Sequence, residues 1–178
     1  VAHEKGKLFA IHFSEDKRED VEQLLTLSPD FVVHCIEASQ ADLEKLRKHD
    51  IPVVVTPRSN IFHGKRPDYS MLFQNGLTVT LGTDNVFITE PDILEESEFL
   101  YRYQRGINRL SPEQVLSTII DNPRKVMTKL GLTIREEKFI FFPNESLTPY
   151  QLVTRPNYFH KILISKKRNG ITFFPSLH

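Results

Sequence analysis

The sequence predicts an α/β fold of parallel strands and crossover helices, followed by a small β appendage. Three observations predict it. Apolar, β-rich runs begin at Leu8, Phe31, Val53 and Leu77, with starts 23, 22 and 24 residues apart. Amphipathic helix patterns fill two of the intervals, and a weaker pattern fills the third. The runs are short and almost continuously apolar, as strands covered on both faces are. The pattern predicts parallel strands over 8–11, 31–34, 53–56 and 77–81, in that order, with right-handed crossovers.

Each connection has its own signal. From Arg18 to Leu27, Val21, Leu24 and Leu25 share one helix face, and Ser28-Pro29-Asp30 stops it. Ser39 and Asp42 have capping-box spacing, Leu43 and Leu46 form the stripe, and Asp50-Ile51-Pro52 ends it. Pro67 to Asn75 predicts a short helix closed by Gly76, and Pro91 to Arg105 a longer one. Ser111-Pro112-Glu113-Gln114 is a strong helix start, with Val115, Leu116, Ile119 and Ile120 as the buried face. Asn122-Pro123 starts another, with Val126, Met127 and Leu130 inward and Gly131 as its stop. Beyond Leu132 the texture changes. Residues 139–142, 151–154, 161–165 and 171–174 read as short strands. Asn169-Gly170 is a turn signal between the last two, in a connection lengthened by Lys166-Lys167-Arg168. The expected division is a main unit over 1–132 and a β appendage over 133–178.

Composition narrows the function. The chain has 178 residues, with 23 Lys+Arg against 23 Asp+Glu. Zero net charge argues against a broad electrostatic nucleic-acid or anionic-membrane binder. The 39% hydrophobic and 26% charged content is that of a folded, soluble chain. Cys35 is the single cysteine, so no internal disulfide can form and a cytoplasmic location is expected. No apolar run approaches the ~20 residues of a membrane helix, and no signal peptide is visible. The sequence begins with Val1, which suggests processing or a piece of a longer chain.

Every strand run leads into polar residues. The first leads into His12, Ser14 and Glu15, and the second ends at His34. The third leads into Thr56, Arg58, Ser59 and Asn60, and the fourth through Gly82-Thr83 into Asp84. Parallel α/β folds bind ligands at the carboxyl ends of their strands. Imidazoles and carboxylates gathered there suit a borderline cation such as zinc, with a spare group to move protons. Each residue also has a plainer reading. A lone histidine after a strand is usually structural, Glu15 could favour the next helix start, and Asp84 could be a turn residue. Arg58, Lys65 and Arg66 read as solvated loop charges, and Cys35 as a small packing residue.

The ordered set Ile11-His12-Phe13-Ser14-Glu15, Val33-His34-Cys35, Pro57-Arg58-Ser59-Asn60 and Leu81-Gly82-Thr83-Asp84-Asn85 resembles the amidohydrolase superfamily. The nearest branch is the chlorohydrolase, cytosine deaminase and S-adenosylhomocysteine deaminase type. Residues 111–131 are similar to the helices after the last strand in that branch. The resemblance implies the C-terminal half, strands five to eight, of a (β/α)8 barrel, with 133–178 part of a composite β-sandwich. It implies that His12 and Asp84 are ligands of a divalent metal, zinc by the family's chemistry. Glu15 is the implied acid/base at a substrate ring nitrogen, His34 the contact to water or substrate, and Asp84 the acceptor of the water's proton. Ser59 and Asn60 are candidates for substrate contact.

The implied reaction is hydrolytic deamination, or a related C–N hydrolysis, of a small nitrogen heterocycle. The family's first-strand His-x-His and strands one to four are absent from this sequence. A full barrel takes ~250 residues, so the isolated chain is expected to be inactive. Its expected partner is the missing N-terminal half or a second copy, since Val53, Val54, Val55 and Val79 would otherwise line a bare apolar face. The convergence of His12, His34 and Asp84 on one cavity, with Glu15 beside it, is expected even without metal. Two rival readings are a non-catalytic half-barrel serving as an interaction module and an adenosine-deaminase-like hydrolase; Asp84-Asn85, in place of paired aspartates, fits the chlorohydrolase branch better.

Overall fold

Four strands lie side by side in chain order in the computed structural model, which describes residues 2–133, 137–142, 146–156, 158, 162–167 and 170–175. β1 (Ala10–Phe13), β2 (Phe31–His34), β3 (Val53–Val55) and β4 (Val79–Leu81) form one parallel sheet in the order β1-β2-β3-β4. Strand order and direction are as predicted, with β1 displaced two residues along the chain. The Asp30 carboxylate accepts the Phe9 N–H at 2.6 Å, and the Phe9 carbonyl accepts the Asp30 N–H at 2.8 Å. A side chain thus takes the hydrogen bond that would have extended the ladder, and Leu8 stays 43% exposed. β4 starts late because the Leu77 N–H donates to the Leu72 carbonyl and closes the preceding helix.

The crossovers are built on caps. α1 (Val21–Thr26) starts at Asp20, whose carboxylate accepts the Glu22 N–H. α2 (Gln40–Lys48) has the predicted Ser39–Asp42 capping box. The Asp42 carboxylate also accepts Arg18 Nε and Nη2 at 2.7 and 2.9 Å. Arg18 and Ser39 together hold that carboxyl well below its usual range, against the effect of burial. Parallel register puts Val32, Val53 and Val79 in one row, and all three are fully buried with Leu43, Leu46 and Leu100. This corrects one expectation: Val53, Val55 and Val79 belong to the core rather than to a bare apolar face. Val54, one residue out of phase, is half-buried.

α3 (Pro57–Phe62) follows β3 directly, where the sequence suggested a polar loop. Pro57 occupies the first turn, where its missing N–H costs nothing. α4 (Ser70–Gln74) is shorter than predicted because Asp68 takes the Ser70 N–H and hydroxyl. α5 (Ile93–Arg105) is capped by Asp92, and α6 (Pro112–Ser117) has the predicted Ser111–Gln114 box. α6 ends before Ile119, so of the predicted buried face Val115 is buried, Leu116 and Ile119 are partly covered, and Ile120 is 42% exposed. α7 (Asp121–Lys129) turns Val126, Met127 and the following Leu130 to its covered side, where they are half-buried.

The appendage departs further from expectation. β5 (Glu137–Phe141), β6 (Ile162–Lys167) and β7 (Gly170–Pro175) form an antiparallel sheet in that order. β6 runs on through Lys166 and Lys167, which were assigned to the connection; Asn169 lies outside the described residues. The stretch 151–154 is not a strand but part of α8 (Pro149–Thr154), capped by Thr148 with Gln151 in a capping box. α8 packs on α5 and α6, Val153 is fully buried, and Arg102 Nη2 donates to the Thr154 carbonyl at 2.8 Å. α8, within the stretch read as the appendage, thus packs on helices of the stretch read as the main unit. Among the described residues no helix is long and apolar enough to cross a membrane.

Candidate active site

The carboxyl ends of the parallel strands carry unusual backbone. Ser14, His34, Cys35 and Asp84 all have positive φ, at 49°, 78°, 57° and 59°. Such conformations cost on the order of 1–3 kcal/mol in non-glycine residues and persist only where surrounding bonds enforce them. Here the Ser14 N–H donates to Glu19 Oε2, and the Glu19 N–H returns to Ser14 Oγ. The Cys35 N–H donates to the Phe13 carbonyl, and the Glu37 N–H to the Ser14 carbonyl.

The strain at His34 has a visible result. His34 pairs in register with Phe13, and His12 with Val33. Strict alternation would therefore keep the two histidines on opposite faces of the sheet. The backbone leaves the extended region at His34, and the imidazole lies instead against His12. Their ring centroids are 4.7 Å apart, edge to face, and His34 Nε2 is 3.0 Å from His12 Nδ1. Glu15 Oε2 is 3.4 Å from His34 Nε2 and 3.7 Å from His12 Nδ1. One ligand atom from each of His12, Glu15 and His34 lies within 4.8 Å of the others. The His12 side chain is 61% exposed, Glu15 29% and His34 0%, so the group opens outward from a buried base.

Burial lowers the His34 pKa most; Glu15 opposes that and His12 adds to it, leaving the ring neutral at neutral pH. Behind it, Asn60 Nδ2 and Thr56 Oγ1 stand 3.1 and 3.3 Å from His34 Nδ1. Tyr69 OH donates to Asn60 Oδ1 at 2.8 Å. Asp84 is outside the three whose ligand atoms lie within 4.8 Å of one another, although its charge still acts on His34. Its carboxylate accepts the Ser59 hydroxyl at 2.7 Å. Ser59 and Asn60, the candidates for substrate contact, are both fully buried and bonded to Asp84 and His34. Cys35 is buried, and burial pushes its thiol far above the ordinary range, consistent with packing.

Arg58 is not a solvated loop charge. Its backbone N–H and Nε donate to Glu96 at 2.8 and 2.6 Å, and Nη1 to Glu95 at 2.9 Å. Glu96 is fully buried; burial pushes its carboxyl up, and Arg58 pulls it back only in part. This pair ties α3, with Ser59 and Asn60, to α5. Lys65 likewise reaches Asp16 at 2.6 Å across the rim. Sequence reasoning missed Tyr69 altogether; a tyrosine beside a short helix gives no sign that its hydroxyl is buried against an asparagine nine residues earlier.

No family model matches the chain. It is 32% identical over 147 residues to an uncharacterized protein of Methanocaldococcus jannaschii, covering 75% of this chain and 37% of that protein. It is 36% identical over 101 residues to a protein of Archaeoglobus fulgidus named "Putative aminohydrolase", covering 56% and 30%. The chain thus spans about a third of the length of the curated relatives it matches. Among solved structures it resembles a zinc-bound adenosine deaminase from Xanthomonas campestris, with TM-score 0.69, 12% identity and coverage of 85% and 42%. It also resembles E. coli guanine deaminase, with TM-score 0.66, 14% identity and coverage of 98% and 49%. At these identities the likeness is one of fold: an α/β chain with a parallel sheet like that of deaminase and amidohydrolase barrels.

Proposed function

We propose that this chain is the C-terminal half of the barrel of a metal-dependent aminohydrolase, one that removes an amino group, or breaks a related C–N bond, in a small nitrogen heterocycle. The observation that carries the reading is the convergence of His12, Glu15 and His34 at the carboxyl ends of β1 and β2. His12 offers a borderline cation such as zinc an exposed imidazole, and Glu15 and His34 stand beside it to move a proton and to hold a water. The strand order supports the half-barrel. So does coverage of 42% and 49% of the two deaminase chains.

In this reading His12 and Asp84 hold the metal, together with ligands from the other half of the barrel. Bound there, zinc supplies the charge that makes a water acidic at neutral pH. Glu15, 29% exposed at the mouth, protonates the ring nitrogen of the substrate. Asp84, oriented by the Ser59 hydroxyl, takes the water's proton and passes it to the departing amine. His34, buried and held from behind by Asn60, faces the reacting atoms. Ser59 and Asn60 act through Asp84 and His34 rather than by touching substrate. β1 and β4 each have an unpaired edge within this four-stranded sheet, and the missing strands, or a second copy, would cover them.

Metal analysis by mass spectrometry tests the reading. The isolated chain is expected to retain zinc weakly and below one equivalent, and His12→Ala to remove it. The complete gene product is expected to hold a full equivalent. Tight stoichiometric zinc in the isolated chain that survives His12→Ala would show the site to be elsewhere.

A further inference from the structure

His34 meets four polar groups, and their order along one hydrogen-bond chain decides which ring nitrogen carries its proton. The imidazole is fully buried, with Nδ1 turned inward to Asn60 and Thr56 and Nε2 outward to His12 and Glu15. A neutral imidazole has one N–H and one lone pair, so the partner at Nδ1 dictates what Nε2 can do. That partner is the Asn60 amide, which offers an N–H or a carbonyl depending on which way it is turned.

Tyr69 fixes the direction. Its side chain is buried, and among the described residues the one acceptor within reach of its hydroxyl is Asn60 Oδ1, at 2.8 Å. Turning the amide over would set the Asn60 N–H group against Tyr69 and leave the phenolic hydrogen buried without an acceptor. That costs roughly 1–3 kcal/mol. With Oδ1 facing Tyr69, Nδ2 donates to His34 Nδ1, 3.1 Å away. Thr56 fits the same arrangement, because its hydroxyl donates to Asn60 Oδ1 at 3.4 Å and leaves the Nδ1 lone pair to the Asn60 amide. The inward nitrogen therefore accepts, and the outward one carries the hydrogen.

We propose that Asn60 and Tyr69 are positioning residues that hold neutral His34 as its Nε2–H tautomer, so that His34 donates a hydrogen bond into the His12–Glu15 cleft and does not itself ligate metal. The reference to a metal rests on the aminohydrolase reading above; the tautomer does not. The outward N–H has acceptors waiting in His12 Nδ1 at 3.0 Å and Glu15 Oε2 at 3.4 Å. In a working site it would hold a water or a substrate oxygen by the same hydrogen.

Nitrogen–proton correlation spectra of the histidine rings in the intact chain, metal-free and at mildly alkaline pH, read the tautomer directly. For His34 the expected pattern is a protonated Nε2 and a lone pair on Nδ1; the reverse would overturn the proposal. Asn60→Asp replaces the amide donor with a carboxylate acceptor and is expected to invert the pattern. Inversion frees the Nε2 lone pair beside His12, and zinc affinity of the chain should then rise about tenfold, the low end of such outer-shell effects. An Asn60→Asp chain that folds and keeps the wild-type pattern would also overturn the proposal. If that variant fails to fold, Tyr69→Phe is read instead and should give mixed tautomers; a pure wild-type pattern there removes the role assigned to Tyr69. None of these spectra depends on catalysis, so failure of the aminohydrolase reading leaves the tautomer result standing, and a wrong tautomer leaves ammonia release untouched.

Discussion

Glu15→Gln in the complete gene product is expected to cut ammonia release roughly 10²–10⁴-fold, the usual contribution of one positioned general acid. The substitution keeps the size and shape of the side chain and removes its capacity to carry a proton. Glu15 caps no helix, and its contacts are to His12 and His34, so the fold has little to lose. The loss should fall on kcat more than on KM, because the interaction removed is made while the ring nitrogen is protonated. An unchanged thermal melt beside the lost rate separates chemistry from folding. A rate within about threefold of wild type, well short of a general-acid effect, would take the proton-carrying role away from Glu15.

Glu96→Ala is expected to destabilise the chain by about 3–5 kcal/mol, the cost of stranding one partner of a buried ion pair. That is a large share of the total of roughly 5–15 kcal/mol that holds a domain together. Glu96 is fully buried and accepts both the backbone N–H and Nε of Arg58, whose side chain is only 16% exposed. Arg58 keeps Glu95 and the carbonyls of Glu90 and Asp92 in the variant, which favours the lower end of the range. The effect should reach the site, because α3 carries Ser59 to Asp84 and Asn60 to His34. Denaturant unfolding measures the cost, and Glu96→Gln should recover part of it by keeping the volume and one acceptor. A loss under about 1 kcal/mol, as for an exposed pair, would mean that Arg58 and Glu96 do not tie α3 to α5.

Local physics explains what could be read from the sequence. Four apolar runs at even spacing gave the sheet, its order and its direction. Ser39 with Asp42, and Ser111 with Gln114, gave two helix starts, because a capping box is complete within four residues. Thr148-Pro149-Tyr150-Gln151 obeys the same rule, yet Val153 and Thr154, both β-branched, and the strands around them drew the reading toward a strand. α3 was hidden for another reason: Thr56 makes no side-chain cap, so no capping box marks its start. In the site, His12, Glu15 and His34 were legible as strand-end residues. That they meet depends on a left-handed backbone at His34, which no pattern in the sequence predicts. Ser59–Asp84 and Arg58–Glu96 are pairings across 25 and 38 residues, set by tertiary packing alone.

Ammonia release by the complete gene product, zinc-loaded and offered aminated pyrimidines and purines, tests the central claim most directly. The expected result is turnover of at least one such heterocycle, lost on chelation, restored by zinc and absent from the isolated 178-residue chain. Turnover that is indifferent to both chelation and the replacement of His12, or no release of ammonia from any aminated heterocycle by a folded, zinc-replete protein, would contradict it.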